Sequence, residues 1–348
     1  MAAASLSVAT MRDTIALVEE HGGLSAAARA AGITYQTFQS RYRTAKLAES
    51  QGRLGKAFEV ATLPSDEPDI DDLLARRRKD YARKTKAAEA RKLIPITIKT
   101  DGPIALAHFG DPHVDDDGTN IALLERHVEI VKRTPGMFGC NVGDYRNNWI
   151  GRLARLWSQQ STSAKDALVL ARWLLTSMDW LFLVGGNHDA WSGDDDPIAW
   201  IAEQHNALHQ AHAVRVDLRF PNGRHVRVNA RHDFKGHSDW NTAHGPAKAA
   251  RIGWRDHILT CGHTHVSGYQ VLKDPASGLI SHALRVASYK IHDRYAVESG
   301  LPDQNIFMCP VTVIDPSRDD DDPRLITTIF SPEIAADFLT FLRKRKAA

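Results

Sequence analysis

Hydrophobic and polar positions repeat with different periods along the chain, and the change of period separates two regions. In residues 12–46 the apolar positions recur every three to four residues, which predicts three short helices. The second of them covers residues 25–31 and the third covers residues 34–46. Gly22-Gly23 and Gly32 mark the turns between them, because glycine commonly ends a helix. The chain therefore begins with a small helical region.

The third predicted helix combines an apolar spacing with a polar, arginine-bearing surface that includes Arg41 and Arg43. A short helix, a glycine-containing turn and such a polar helix are the parts of a helix-turn-helix. Residues 1–50 are accordingly predicted to form a small all-α helix-turn-helix domain. The alternative is a plain three-helix module for docking or dimerisation, which would touch no DNA.

Residues 51–94 have the composition of a linker followed by a basic helix. Residues 63–72 are acidic and contain prolines, which is typical of a linker. Residues 74–92 carry nine Lys and Arg residues against two acidic residues, a local net charge of +7. This segment is either a solvated helix between domains or a contact for the phosphate backbone of nucleic acid, since Lys and Arg neutralise phosphates.

Residues 95–348 alternate short apolar strands with helical segments, which predicts an α/β (or α+β) domain. The turn signal Asp101-Gly102 predicts a hairpin between strands at 95–100 and 103–109. A helix is predicted over 121–133 and a long one over 149–177. Further predicted strands cover 137–142, 180–184, 214–219, 225–230, 257–261, 267–272, 283–288, 311–314 and 325–329, and further helices cover 247–252 and 332–345. The pattern predicts a two-layered sheet core covered by helices.

The composition narrows the functional classes. The chain has 348 residues, 43% of them hydrophobic and 25% charged, as in ordinary globular proteins. Its net charge of only +2 means that any contact with nucleic acid must come from a local basic patch. No apolar run is long enough for a membrane span, the N-terminus lacks a basic leader, and the three cysteines favour a reducing cytoplasm. The 17 histidines call for a search for metal sites.

Five short segments present metal-ligand residue types directly after predicted strands, where side chains converge on one edge of a sheet. In chain order they are Gly110-Asp111-Pro112-His113, Gly143-Asp144, Gly185-Gly186-Asn187-His188-Asp189, Arg231-His232 and Gly262-His263-Thr264-His265. Each alone is a weak signal. All five in this order, each at a strand exit and four of them with glycines that allow a tight turn, point to one shared site.

This ordered set of segments resembles the calcineurin-like metallophosphoesterase superfamily over about residues 103–270. The resemblance implies a two-sheet β-sandwich flanked by helices within residues 95–348, and a site for two divalent metal ions. The overall organisation is similar to that of phage- or prophage-type metallophosphoesterases with an N-terminal helix-turn-helix.

The resemblance also implies a role for each candidate ligand. Asp144 would bridge the two ions, and the remaining ligands divide into Asp111, His113 and His265 for one ion and Asn187, His232 and His263 for the other. His237 is the alternative to His232 in the fourth segment. A ligand set of oxygen and imidazole without thiolate favours Mn, which we expect first, and Fe or Zn over Mg or Ca.

Three residues are assigned to the chemistry of the site. His188 would protonate the leaving oxygen while water attacks phosphorus in line. Asp189 would orient His188, or it would only stabilise the turn. Arg146 would clamp phosphate oxygens, or it would face solvent. Asn147 stands three positions after Asp144, where many family members have a further acidic or amide residue.

These features predict a two-metal-dependent phosphoesterase that hydrolyses phosphodiester bonds. The leading expectation is a DNA nuclease or DNA-processing enzyme that the N-terminal helix-turn-helix targets to DNA. No association with a membrane is expected. A homodimer fits this organisation because helix-turn-helix modules often pair. One alternative is a phosphatase or phosphodiesterase of a small molecule or phosphoprotein. Another is a DNA-binding regulator with a non-catalytic phosphoesterase fold.

Overall fold

The computed structural model describes residues 6–55, 61–191, 193, 196–292, 297, 300 and 305–347. The chain divides into two compact units, residues 1–77 and 78–348. The division into three parts at residues 50 and 94 stays a prediction.

The first unit contains the three helices expected from the apolar spacing: α1 (Val8–His21), α2 (Leu24–Ala30) and α3 (Tyr35–Ser50). Helix α1 begins earlier than predicted because the Ser7 hydroxyl accepts a hydrogen bond from the Thr10 amide at 3.1 Å and caps it. It ends where Gly22 adopts a left-handed backbone with φ of 71°. The helices pack around a small core of Ile15, Ala27, Ala28, Phe38, Ala45, Ala48 and Leu54.

A long helix follows, α4 (Ile70–Arg91), and each of its residues is at least partly exposed. The predicted basic helix therefore begins four residues earlier than expected, and Asp71 and Asp72 lie in its first turn. Acidic residues in the first turn and Arg91 in the last turn both favour the helix dipole. Exposure over this whole length agrees with a solvated helix and leaves its basic side chains accessible.

The second unit contains two mixed six-stranded sheets. The first sheet has the strand order β1 (Ile94–Thr97), β6 (Ala213–Arg219), β7 (His225–Arg231), β8 (Ile258–Cys261), β10 (Ile280–Arg285) and β9 (Gly268–Lys273). The second has the order β12 (Ile326–Ile329), β11 (Val311–Ile314), β2 (Ile104–Phe109), β3 (Met137–Asn141), β4 (Trp180–Gly185) and β5 (His209–Ala211). Strands β2 to β5 run parallel to one another, and β7 runs parallel to β8, whereas β2 is antiparallel to β11 and β7 is antiparallel to β6. The expected α/β class with two sheet layers is confirmed.

Strand β2 shows how the layers are built. Its residues Ile104 and Leu106 join an apolar core that also contains Val216 and Val228 of the other sheet. The intervening Ala105, Ala107 and Phe109 belong to a second core with the flanking helices. Those helices are α5 (Ile121–Arg133), α6 (Ala164–Thr176), α8 (Pro197–Gln204) and α10 (Pro332–Ala347). Because both faces are covered, every residue of β2 is buried.

The expected hairpin at Asp101-Gly102 is wrong. Strand β1 pairs with β6 in the first sheet, whereas β2 pairs with β11 and β3 in the second. The turn, with Gly102 at φ of 86°, carries the chain from one sheet to the other. An apolar strand such as β2 needs a central position covered on both faces, which a local hairpin would not supply.

The expected long helix over 149–177 is also wrong. A 3-10 helix covers Gly151–Gln159, and α6 begins only at Ala164. The break is held because the Ser161 amide and hydroxyl donate to the Asp117 carboxylate, while Ser163 and Asp166 form a capping box. Elements not predicted are β5, α8 and the short α7 (Asn187–Ala190).

Another helix, α9 (His244–Ile252), packs on β8, β9 and β10 from outside the first sheet. Within the described part of the chain, no helix combines the length and the apolar character needed to cross a bilayer.

Candidate metal centre

The five predicted ligand segments lie at the carboxyl ends of five strands, three in one sheet and two in the other. Strands β2, β3 and β4 run parallel, and β7 and β8 also run parallel, so their ends open at one edge of each sheet. The ring of His232 joins the two edges, with its Nδ1 2.9 Å from the carbonyl oxygen of Val142. The fold therefore gathers residues that are far apart in sequence.

Asp144 lies at the middle of the cluster. Its Oδ2 is 3.2 Å from Nε2 of His232, 3.8 Å from Nε2 of His113 and 3.9 Å from Nε2 of His188. Two groups of three have ligand atoms within 4.8 Å of one another, His113 with Asp144 and His188, and Asp144 with His232 and His263. This buried His/Asp cluster could hold a metal ion, and Asp144 belongs to both groups.

The other predicted ligands complete the cluster. Nε2 of His265 lies 3.2 Å from Nε2 of His113, and Nδ1 of His263 lies 3.0 Å from Nε2 of His232. Oδ1 of Asn187 lies 2.8 Å from the same His232 nitrogen. Two facing imidazole nitrogens share at most one hydrogen when neutral, whereas a cation can use the lone pairs of both.

Asp111 provides a direct test of whether these residues fit a cation. Its side chain is fully buried, and its Oδ2 accepts a hydrogen bond from the His263 amide at 2.6 Å. Its Oδ1 has no hydrogen-bond partner among the residues that the structure describes. A buried carboxylate oxygen without a donor is costly unless a cation compensates it. The donor set and this oxygen both fit a metal ion.

The backbone at the candidate ligands adopts a conformation that is unusual for residues other than glycine. The φ angles are 39° at His113, 52° at Asp144, 71° at His263 and 56° at His265. Left-handed conformations at such residues cost free energy and concentrate at functional sites. The second unit thus maintains local strain where its ligand side chains meet.

The glycines of the ligand segments make room for the ligands themselves. A Cβ atom on Gly262 would lie 2.6 Å from Oδ2 of Asp111, and one on Gly186 would clash with Oδ1 of Asp144. A Cβ on Gly143, which has a φ of 117°, would lie 2.6 Å from Nδ1 of His232. These glycines allow the loops to approach the ligands closely, which explains their place in the pattern.

Burial and mutual attraction shift the pKa values of the cluster. Burial raises the pKa of Asp111 to about 6. Burial alone would also raise the pKa of Asp144, but the facing histidines, His232 first, lower it below its usual range. Burial lowers the pKa of His113. Burial would also lower the pKa of His232, but the negative charge of Asp144 outweighs it and raises that pKa. The cluster therefore attracts positive charge to its centre.

His188 is held by the Asn147 carbonyl and the Asp144 carboxylate rather than by Asp189. Its Nδ1 contacts the carbonyl oxygen of Asn147, and its amide donates to Oδ1 of Asp144 at 3.0 Å. The Asp189 carboxylate instead accepts from the amides of Asp144 and Gly186 at 2.9 and 2.8 Å. These contacts match the alternative in which Asp189 stabilises the turn. The carbonyl places the ring hydrogen on Nδ1 and leaves Nε2 facing Asp144.

Two alternatives from the sequence are distinguished by exposure. Arg146 is only 5% exposed, so it does not face solvent. Burial lowers its pKa, although the facing Asp189 and Asp115 oppose this shift. Its role as a phosphate clamp stays a prediction. The side chain of His237 is 82% exposed and pairs with Asp239, so His232 rather than His237 joins the cluster.

A role for Arg285 was not predicted from the sequence. This nearly buried residue of β10 donates from Nη1 to the Gly262 carbonyl at 2.6 Å and from Nη2 to Asp233 at 2.9 Å. It thereby connects the loop of His263 and His265 with the loop of His232. No local pattern marks it, because it is separated from both loops by many residues of intervening sequence.

The comparisons with known proteins add no identification. No model of a known protein family matches this chain, and a search of curated proteins also finds no match. The fold and the site define a mixed α/β protein with a candidate metal centre. The resemblance to metallophosphoesterases stays a prediction.

Proposed function

We propose that this chain is a two-metal-dependent phosphoesterase of the calcineurin-like metallophosphoesterase type, which hydrolyses phosphodiester bonds in DNA. The observation that carries the proposal is the convergence of ligands from five strand ends on Asp144, the shared member of both possible ligand groups. A shared carboxylate is what two neighbouring divalent ions need.

The donor chemistry supports a pair of ions with Mn as the first choice and Fe or Zn as alternatives. The cluster contains imidazole nitrogens and carboxylate oxygens, and the described cysteines are buried free thiols that take no part in it. When bound, two such ions supply Lewis-acid polarisation of a phosphoryl oxygen and lower the pKa of a water molecule. The protein contributes the positions of the ligands.

His188 is proposed to hold the proton that the leaving oxygen receives. The Asn147 carbonyl fixes Nδ1, while the rings of Trp149 and Trp191 contact the imidazole at centroid distances of 5.3 and 4.1 Å. Burial lowers the pKa of His188. A phosphate anion beside Nε2 favours the protonated ring, so binding of the substrate would protonate His188 and prepare it to act as the general acid.

DNA is the proposed substrate because the same chain carries a three-helix unit and a basic, exposed helix. Helices α2 and α3 with the turn at Gly32 fit a helix-turn-helix, and α4 presents its Lys and Arg side chains to solvent. We further propose a cytoplasmic protein, in keeping with buried free thiols, and a homodimer through the helix-turn-helix.

The proposal is tested by Mn-dependent hydrolysis of labelled single- and double-stranded DNA beside mono- and bis-aryl phosphates. DNA and the bis-aryl ester are expected to be cleaved, with turnover of an unactivated diester reduced about 100-fold or more in His188→Ala. The control is His237→Ala, which removes an exposed histidine. Cleavage of the mono-aryl ester with intact DNA would contradict the nuclease and favour a phosphatase. Absence of all hydrolysis would favour a non-catalytic regulator.

A further inference from the structure

The outer side of strands β6 and β7 carries a row of arginines. Arg215 and Arg219 alternate with inward-facing valine and leucine on β6, and Arg227 and Arg231 alternate with inward-facing valine and alanine on β7. The antiparallel register places Arg215 opposite Asn229, so all four arginines project from one face. We call this set of four residues the arginine face.

Two buried carboxylates hold part of the arginine face in place. Asp256, which is fully buried, accepts from Nε and Nη2 of Arg215, both at 2.7 Å, and from Nε of Arg227 at 3.0 Å. Asp217 accepts from Nε of Arg219 at 2.9 Å. Four guanidinium groups thus face two carboxylates, which leaves the surface positive. A fixed guanidinium loses little further side-chain freedom when it binds an anion.

Arg231 differs from its three neighbours because its charge is not compensated. Its guanidinium lies 4.2 Å from the ring centroid of Trp254, and it makes no ion pair with a described carboxylate within 4.0 Å. Its Nε is buried and has no hydrogen-bond partner among the described residues. An aromatic ring fixes the plane of a guanidinium without neutralising it. An external anion at the exposed part of this guanidinium would compensate its charge.

The position of Arg231 connects the arginine face with the metal centre. It is the last residue of β7, and the next residue is His232, whose Nε2 lies 3.2 Å from Oδ2 of Asp144. Residues on one face of a strand recur about every 6.6 Å. In the register of β6 and β7 the four arginines occupy four successive pairs on this face, alternately on one strand and the other, and Arg231 is the one beside the candidate ligands.

We infer that the arginine face binds the sugar-phosphate backbone of a nucleic-acid strand whose neighbouring phosphate occupies the metal centre. This inference rests on the proposed function, and it adds a second contact for nucleic acid besides the N-terminal helices. A polymer with a phosphate at each step matches a row of separate guanidinium groups better than a small ester does. Arginine also suits phosphate oxygens because its planar fork donates two parallel hydrogen bonds.

The test is the equilibrium affinity of the full chain for a labelled 20-nucleotide single strand in EDTA, followed by fluorescence anisotropy across a salt series. Arg231→Gln and Arg219→Gln are each expected to weaken binding roughly threefold to tenfold and to reduce the salt slope by about 0.7. The matched control is Arg133→Gln on α5, an equally large loss of charge on a helix outside the other sheet. Melting temperatures verify that the variants fold.

Two results would overturn the inference. One is an affinity and a salt slope that match those of Arg133→Gln in both variants. The other is unchanged affinity for the oligonucleotide with lost affinity for phosphatidylserine vesicles, since this would assign the face to a lipid surface. Hydrolysis of the bis-aryl ester by the unaltered chain is measured in parallel. If the unaltered chain is inactive but the variants still lose affinity, the proposed function fails and the arginine face stands.

Discussion

The core of the first unit and the candidate metal centre of the second bury opposite kinds of side chain. Among the described residues of the first unit, the buried side chains are apolar apart from Thr14, whose hydroxyl donates to the Thr10 carbonyl. The metal centre instead buries Asp111, Asp144 and His232 within a few ångströms of one another. Apolar burial stabilises a fold directly, whereas buried charges cost free energy unless they are compensated.

This contrast shows where each region obtains its stability. The first unit needs only its own apolar contacts. The metal centre combines buried charge with left-handed backbone at four candidate ligands, and the surrounding sheets must hold it together. A bound cation would offset part of this unfavourable free energy. Changes in the first unit should therefore affect folding, and changes in the metal centre should affect metal binding and turnover.

The largest effect is expected for Asp144→Asn. Asparagine keeps the shape and tolerates the left-handed backbone, but it removes the shared negative charge, so both ions should bind weakly and turnover should fall by at least about a thousandfold. Mn at 100 times its Kd should stabilise the unaltered protein by about 2.7 kcal/mol and the variant by little. Thermal unfolding with and without Mn, together with metal content, measures this.

Asp256→Asn is the control for this change, because Asp256 is equally buried but lies outside the metal centre. This variant should lose stability, since Arg215 and Arg227 lose a shared partner, while its Mn-dependent shift is retained. Metal content of Asp144→Asn near that of the unaltered protein would contradict the bridging role.

The next largest effect is expected for Phe38→Ala in the first unit. Phe38 of α3 is a fully buried side chain that packs with Ala27 and Ala28 of α2, and its truncation should cost about 3–5 kcal/mol. The first unit should unfold or loosen, DNA affinity should fall, and turnover of the bis-aryl ester should persist. Leu47→Ala, an exposed change on α3, is the control. Equal loss of ester turnover in Phe38→Ala would show that the two regions are not separable.

The elements predicted most accurately from the sequence are those that a pattern of neighbouring residues specifies. Helix α5 has the predicted bounds of residues 121 and 133, because its apolar residues follow one face and Asn120 caps it. The ligand segments could also be placed, since each follows a short apolar strand and glycines occupy the tight turns. Strand ends of parallel strands meet at one edge, so a shared site followed from the pattern.

Other features depend on contacts between distant residues and left no local signal. The turn at Asp101-Gly102 has the composition of a hairpin, yet the partners of β1 and β2 lie more than 25 residues away. The hydrogen bond of His188 goes to a backbone carbonyl, which no side-chain pattern reveals. Arg285 joins two ligand loops from a strand later in the chain. Such contacts become visible only when the sheets are assembled.

The smallest effect concerns a buried histidine that belongs to neither region. His127 of α5 is buried, with Nδ1 2.8 Å from the hydroxyl of Tyr289, and burial lowers its pKa to about 4. The unfolded chain takes up a proton on this residue below about pH 6.5, whereas the folded chain does so only near pH 4. Stability should therefore fall as the pH is lowered through this window, by about 1.4 kcal/mol for each pH unit.

His127→Gln should remove this part of the acid sensitivity, because the amide does not titrate and can still bond to the Tyr289 hydroxyl. Urea unfolding between pH 7 and pH 4.5 should show the difference between the variant and the unaltered protein narrowing as the pH falls. Added Mn should not alter how this stability difference varies with pH, since a cation compensates charge only in the candidate metal centre. Parallel pH curves for the two proteins would contradict a neutral buried His127 and would assign the acid sensitivity to other groups, such as His282, whose pKa burial also lowers to about 4.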